Sequence, residues 1–232
     1  MPCSFSHMRI ATRYQIFCLK IQMFCTMLFF FAGSVDAAGF DCAKAKTKNE
    51  KWICASEAIS KLDDNLNYQY QNLLKLYVQN KAIRQWQKEW LKSDQLKCQD
   101  SDCLERAYKK RIAELKSANN AEANTKGYTG KYTRIINGKI DSNQADLLLI
   151  GLSGQRVFIS GTSIWKNPGS PENVRTGEIS GYGILRGGVV SADKRELCGA
   201  NFQLSDQDYL KVEDESGCGG MNVTFNGIYK GL

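Results

Sequence analysis

The sequence predicts an α+β protein built as two domains: a disulfide-tied three-helix N-terminal domain, followed by a small all-β barrel or sandwich of about eight strands. Three observations predict it. No glycine or proline falls between Phe40 and Lys126, so nothing interrupts helical periodicity there. From Gly127 onward the composition turns to glycines, β-branched residues and turn signals. Cysteines at 42, 54, 98 and 103 belong to the first stretch and Cys198 and Cys218 to the second, an even set in each.

The chain has 232 residues, 43% of them hydrophobic and 24% charged, with only three prolines, which is a globular and not a disordered composition. Residues 1–37 read as a signal peptide. Arg9, Arg13 and Lys20 form a basic region, Met23 to Phe31 is apolar, and Val35-Asp36-Ala37 fits a signal-peptidase site with cleavage between Ala37 and Ala38. Translation starts at Met1 or Met8, and both starts leave this pattern intact. The apolar run is about half the roughly 20 residues a spanning helix needs, so no stable membrane span is expected after cleavage. Cleavage removes Cys3, Cys18, Cys25 and the only histidine, His7. The mature protein is expected in the periplasm or secreted, with six cysteines in disulfides.

Residues 38–117 form the expected helical domain. Thr47-Lys48-Asn49-Glu50 is a capping box. Ile59, Leu62, Leu66, Tyr70, Leu73 and Tyr77 make one apolar stripe, which predicts a first helix of about 28 residues. A second helix is expected from Ala82 to about Leu96, with Ile83, Trp86 and Trp90 inward. A third is expected from near Asp102, capped by Asp102-x-x-Glu105, with Leu104, Tyr108, Ile112 and Leu115 inward. Cys42, Cys54, Cys98 and Cys103 then fall at one end of the bundle and form two bridges, in any of three pairings. Each would contribute roughly 2–4 kcal/mol.

Residues 118–127 are small and polar and read as a linker with some freedom. Residues 128–232 form the β domain. Its strands are expected at Tyr132–Ile136, Leu147–Ile150, Arg156–Ile159, Glu178–Ile184, Gly188–Ala192, Ala200–Leu204, Tyr209–Val212 and Asn222–Tyr229. Asn137-Gly138 signals a hairpin. Gly130-Lys131-Tyr132 and Gly227-Ile228-Tyr229 share a pattern that would let the first and last strands pair. Residues 166–177, with Pro168 and Pro171, are expected as a rim loop. Cys198 and Cys218 should pair with each other.

The chemistry left to the mature chain is narrow. Without histidine there is no Ser-His-Asp or Cys-His nucleophile and no His-ligated metal. Asp63-Asp64 is expected on a solvated helix face, not as a catalytic pair. Gly217-Cys218-Gly219-Gly220 precedes a strand and not a helix, so it fails as a phosphate loop. No catalytic residue, cofactor or metal is expected, and the chain reads as a non-enzyme. The sequence pI near 8.9 raises nucleic acid as a partner. The excess is only +5 over residues 38–117 and zero over 118–232, and the lysines are dispersed except at Lys109-Lys110-Arg111, so nucleic acid is not expected.

Phe40-Asp41-Cys42, Glu50-Lys51-Trp52-Ile53-Cys54, Leu62-Asp63, Tyr70, Gln87, Trp90-Leu91, Cys98, Cys103-Leu104, Tyr108 and Arg111-Ile112 occur in an order that resembles the N-terminal domain of the LprI-type lysozyme inhibitor family. Ser93 stands where that pattern commonly has arginine. The resemblance covers residues 40–117 and implies an exported bacterial binding protein, with lysozyme or another envelope-acting protein as partner and occlusion of the enzyme cleft as its action. Leu152-Ser153-Gly154-Gln155-Arg156 with Trp165-Lys166 is similar to segments of membrane-bound c-type lysozyme inhibitors, with Val157 in place of a tyrosine; the same residues also read as a plain hairpin turn. Animal lysozymes are basic, so contact is expected from the neutral β domain. The candidate contact residues are Ser153, Arg156, Trp165 and the acidic run Glu213, Asp214 and Glu215. The second reading of the residues is a cell-envelope accessory protein whose β domain binds a glycan or small ligand without catalysis. Oligomeric state is left open.

Overall fold

The computed structural model describes residues 40–77, 81–192, 198–205 and 209–232. The expected cleavage site at Ala37 and Ala38 lies outside them. The helices come first. A 3-10 turn (Cys42–Lys44) leads into α1 (Lys48–Ala55), then α2 (Glu57–Leu76), α3 (Lys81–Trp90), a π-helical turn (Leu91–Gln95), α4 (Ser101–Asn119) and a single turn α5 (Ala123–Lys126). The expected capping box forms: Glu50 N–H donates to Thr47 Oγ1, and the Glu50 carboxylate accepts from Thr47 N–H.

Three helical expectations need correction. The first helix is two helices, because Ser56 takes an extended conformation and caps α2 by accepting from Ile59 N–H. A serine hydroxyl competing for backbone N–H groups breaks the stripe without glycine or proline. The third helix is capped by Asp100, which accepts from Cys103 N–H, and not by Asp102, which sits in the first turn. Residues 118–127 are largely ordered helix: α4 runs to Asn119 and α5 packs on the barrel.

The sheet strands are β1 (Gly130–Ile136), β2 (Lys139–Ile140), β3 (Ala145–Leu152), β4 (Arg156–Asn167), β5 (Ser170–Arg186), β6 (Val189–Ala192), β7 (Gly199–Leu204), β8 (Tyr209–Ser216) and β9 (Gly227–Gly231). All pairings are antiparallel, in the order β2-β1-β3-β4-β5-β6-β7-β8-β9, and β1 also pairs with β9 from Tyr132↔Gly231 to Ile135↔Ile228. That closes an eight-stranded barrel of β1 and β3–β9, with β2 a short hairpin edge outside it. Asn137 and Gly138 both take positive φ, as the β1–β2 turn requires. The expected rim loop over residues 166–177 is mostly strand: β4 and β5 continue to a turn at Pro168 and Gly169. The last strand starts at Gly227, not Asn222.

Period-two alternation divides the apolar residues between two cores. Leu147, Leu149, Val157, Ile159, Phe202, Leu210, Phe225 and Tyr229 fill the barrel. Leu148, Ile150 and Leu152, on the opposite face of β3, join Ile59, Leu73, Ile83, Trp86, Leu104, Tyr108 and Leu115 from the helices. The unbroken run Leu147–Leu152 is therefore a strand buried on both faces. The helices do not close their core among themselves; the barrel wall completes it. Gly151 lies under α5, where a Cβ would come within 2.1 Å of the Thr125 carbonyl oxygen.

Three disulfides are formed among the described residues: Cys42–Cys54, Cys98–Cys103 and the expected Cys198–Cys218. Such cross-links fit an oxidising compartment. No described helix is long and apolar enough to cross a membrane.

Candidate functional site

The α3 sequence places Ala82, Ile83, Trp86, Gln87 and Trp90 on one buried face. At its end the backbone widens: Leu96 N–H donates to Leu91 C=O, five residues back, and Ser93 Oγ donates to the Glu89 carbonyl. Single π turns of this kind recur at functional sites. Here the turn forms one edge of a groove of about 520 Å³. The other walls come from Arg111 and Glu114 of α4 and from the outer face of β4 and β5. Lys92, Lys110, Thr162, Glu178 and Ser180 are exposed at its mouth.

Arg111 anchors the groove. It occupies the α4 stripe with Tyr108, Ile112 and Leu115, and its side chain is 1% exposed. The guanidinium lies 3.8 Å from the Trp86 ring centroid and 5.8 Å from that of Trp90. Its Nε donates to Gln87 Oε1 at 3.0 Å and its Nη1 to Glu114 Oε2 at 3.0 Å. The other Glu114 oxygen accepts from the Tyr182 hydroxyl at 3.1 Å, so helix and barrel share one carboxylate. Burial pushes the Arg111 pKa down, and the Glu114 charge opposes this most. An arginine stays charged even so. Burial pushes the Tyr182 phenol up to about 12, reinforced by Glu114 and opposed by Arg156 and Arg111.

Two buried donors in these walls have no acceptor among the described residues: Arg111 Nη2 and Trp90 Nε1. Trp90 stands edge-on to Tyr108 at 5.6 Å, and the Tyr108 hydroxyl donates to Asp63 Oδ1 at 2.7 Å. Asp63 is thus half-buried and hydrogen-bonded, which corrects the expectation of a solvated pair; Asp64 is exposed. The groove offers fixed donors, carboxylate acceptors and aromatic walls. That is chemistry for holding a polar ligand. Among the described residues, no three His, Cys, Asp or Glu side chains converge as metal ligands.

The residues expected to contact a partner are not brought together. Ser153 Oγ lies 2.9 Å from Ser117 Oγ, and its backbone N–H donates to the Ser117 carbonyl, which ties the β3–β4 turn to the end of α4. Arg156 is exposed, with its guanidinium 4.4 Å from the Tyr182 ring. Trp165 lies nine residues further along β4, about 30 Å away, where Arg175 covers its ring at 5.2 Å. It borders a second hollow whose Arg134 is committed to Asp141, Thr224, Asn226 and Asn143. Glu213 pairs with Lys211, and Asp214 accepts from Asn201. Glu215 accepts from Cys218 N–H, Thr224 Oγ1 and Phe225 N–H, fastening the loop before β9.

Sequence reasoning missed the groove, although part of its signal was present. Arg111 stands at helical spacing from Tyr108 and Leu115, yet its place in Lys109-Lys110-Arg111 made it look like one of a basic cluster. Trp90 and Arg111, two of the residues on which the expected LprI-type likeness rests, line this groove, and two others, Tyr108 and Gln87, contact them from behind. Comparison with protein-family models, curated proteins and solved structures finds no match for the chain.

Proposed function

We propose that this is an exported binding protein, not an enzyme, and that it holds a small polar ligand in the groove between α3, α4 and the barrel wall. The observation that carries the reading is the pair of buried donors, Arg111 Nη2 and Trp90 Nε1, without acceptors among the described residues, in the wall of a 520 Å³ groove. An unsatisfied buried donor costs about 1–3 kcal/mol, a cost that an acceptor on a ligand recovers. The volume falls in the range of small-molecule sites. The three disulfides support placement in the periplasm or outside the cell. The test is a screen of small polar solutes by indole N–H resonances in NMR, with Trp90 assigned by substitution. At least one solute should shift the Trp90 signal; a screen in which that signal never moves overturns the reading.

A second reading is inhibition of lysozyme by occlusion of its cleft. The resemblance of the helical segment supports it, as does Arg156, which stays exposed beside the 153–155 turn. Titration into c-type and g-type lysozyme assays tests it directly. Full lysozyme activity at micromolar excess sinks this reading and leaves the groove reading untouched.

A further inference from the structure

We infer that the groove ligand is an uncharged oligosaccharide segment; this rests on the groove being a ligand site. Arg111, Lys92 and Lys110 face Glu89, Asp94, Glu114 and Glu178 in the lining, three cations against four carboxylates, and Arg111 is already paired with Glu114. The groove therefore has no surplus positive charge to draw a free anion.

The two unpaired donors, Arg111 Nη2 and Trp90 Nε1, require an oxygen acceptor. A neutral carbonyl or hydroxyl oxygen meets this need without bringing a charge. Both donor atoms are buried, so an acceptor would reach them only if neighbouring side chains moved aside.

The rest of the lining asks for donors as well as acceptors. Glu89, Asp94 and Glu178 accept only, while the hydroxyls of Ser160, Thr162 and Ser180 do both. A sugar presents several hydroxyls around its ring, each a donor and an acceptor. Phe158 and Tyr182, edge to face at 5.7 Å and half-buried, give the apolar wall against which the C–H face of a ring packs.

The experiment follows the Trp90 indole signal while the mature protein is titrated with N-acetylglucosamine oligomers and malto-oligosaccharides. De-N-acetylated glucosamine oligomers, oligogalacturonate and a capped alanine peptide serve as contrasts. A neutral oligosaccharide should shift the signal and bind more tightly than the contrasts. Replacing Trp90 with 3-benzothienylalanine keeps ring size and removes the donor; it should weaken binding about tenfold with folding intact. Trp90→Phe is a second variant with the same expected direction. If only the charged oligomers or the peptide shift Trp90, the ligand class is wrong and the groove remains a binding site. If a neutral oligosaccharide binds without moving Trp90, the inference also falls. If no probe binds and the broader solute screen is also silent, both readings fall together.

Discussion

The Tyr182 hydroxyl donates to Glu114 across 3.1 Å, so strand β5 and helix α4 are joined by one hydrogen bond at the edge of the groove. Burial first, then the Glu114 charge, holds this phenol up from 10.0 to about 12. A raised pKa means the folded protein keeps a proton that the unfolded chain releases. The associated stability is complete below pH 10 and is lost as pH rises through about 12. Urea midpoints should therefore fall more steeply from pH 10 to 12 in the wild type than in Tyr182→Phe. Parallel profiles would refute the linkage. At neutral pH the same variant should lose about 1 kcal/mol.

Ile150 is fully buried on the helix-facing side of β3. Ile150→Ala should cost about 2–5 kcal/mol. Because the helical core includes the barrel wall, the loss should appear in both parts. Helix circular dichroism and barrel tyrosine signals should melt together, at one lowered temperature. Two separate transitions, with the helical one unmoved, would contradict a shared core.

Glu215 accepts three hydrogen bonds from the 218–225 segment. Glu215→Ala should accelerate amide exchange at Cys218 and Phe225 and destabilise the protein by about 1–3 kcal/mol. Unchanged exchange at both amides would show that the carboxylate does not hold the loop.

Non-reducing peptide mapping should recover the pairs Cys42–Cys54, Cys98–Cys103 and Cys198–Cys218. Recovery of Cys42 with Cys98 or Cys103 would contradict the helical arrangement. Replacing both Cys198 and Cys218 by Ser should cost about 3 kcal/mol, since the bridge closes a 20-residue separation.

Much of this fold was legible in the residues. The glycine-free stretch gave helices, the turn signals gave strands, and the shared Gly-x-Tyr pattern correctly suggested the β1–β9 pairing. The errors have physical causes. Ser56 breaks a helix by hydrogen bonding, which leaves the apolar stripe intact on both sides. The 166–177 segment is polar because β4 and β5 extend past the core there, not because it lacks strand. The groove was hidden for a different reason: Trp86, Trp90, Arg111 and Tyr182 come from elements far apart in sequence and meet only when the helices lie on the barrel. Ser153 stood out by likeness to a lysozyme-inhibitor segment and Glu215 as part of an acidic run, and both turn out to fasten the chain to itself.

Barrel closure through β1 and β9 has a consequence for the order of assembly. Tyr132 waits for Gly231, almost a hundred residues downstream, before its strand has neighbours on both sides. Contacts of such long sequence separation form late and slowly. Until then β1 has one bare edge, and the wall that completes the helical core hangs on an open sheet. A chain still being synthesised thus has no finished surface to bury. Its barrel stays open for as long as the last strand is missing, a delay that fits the export proposed above.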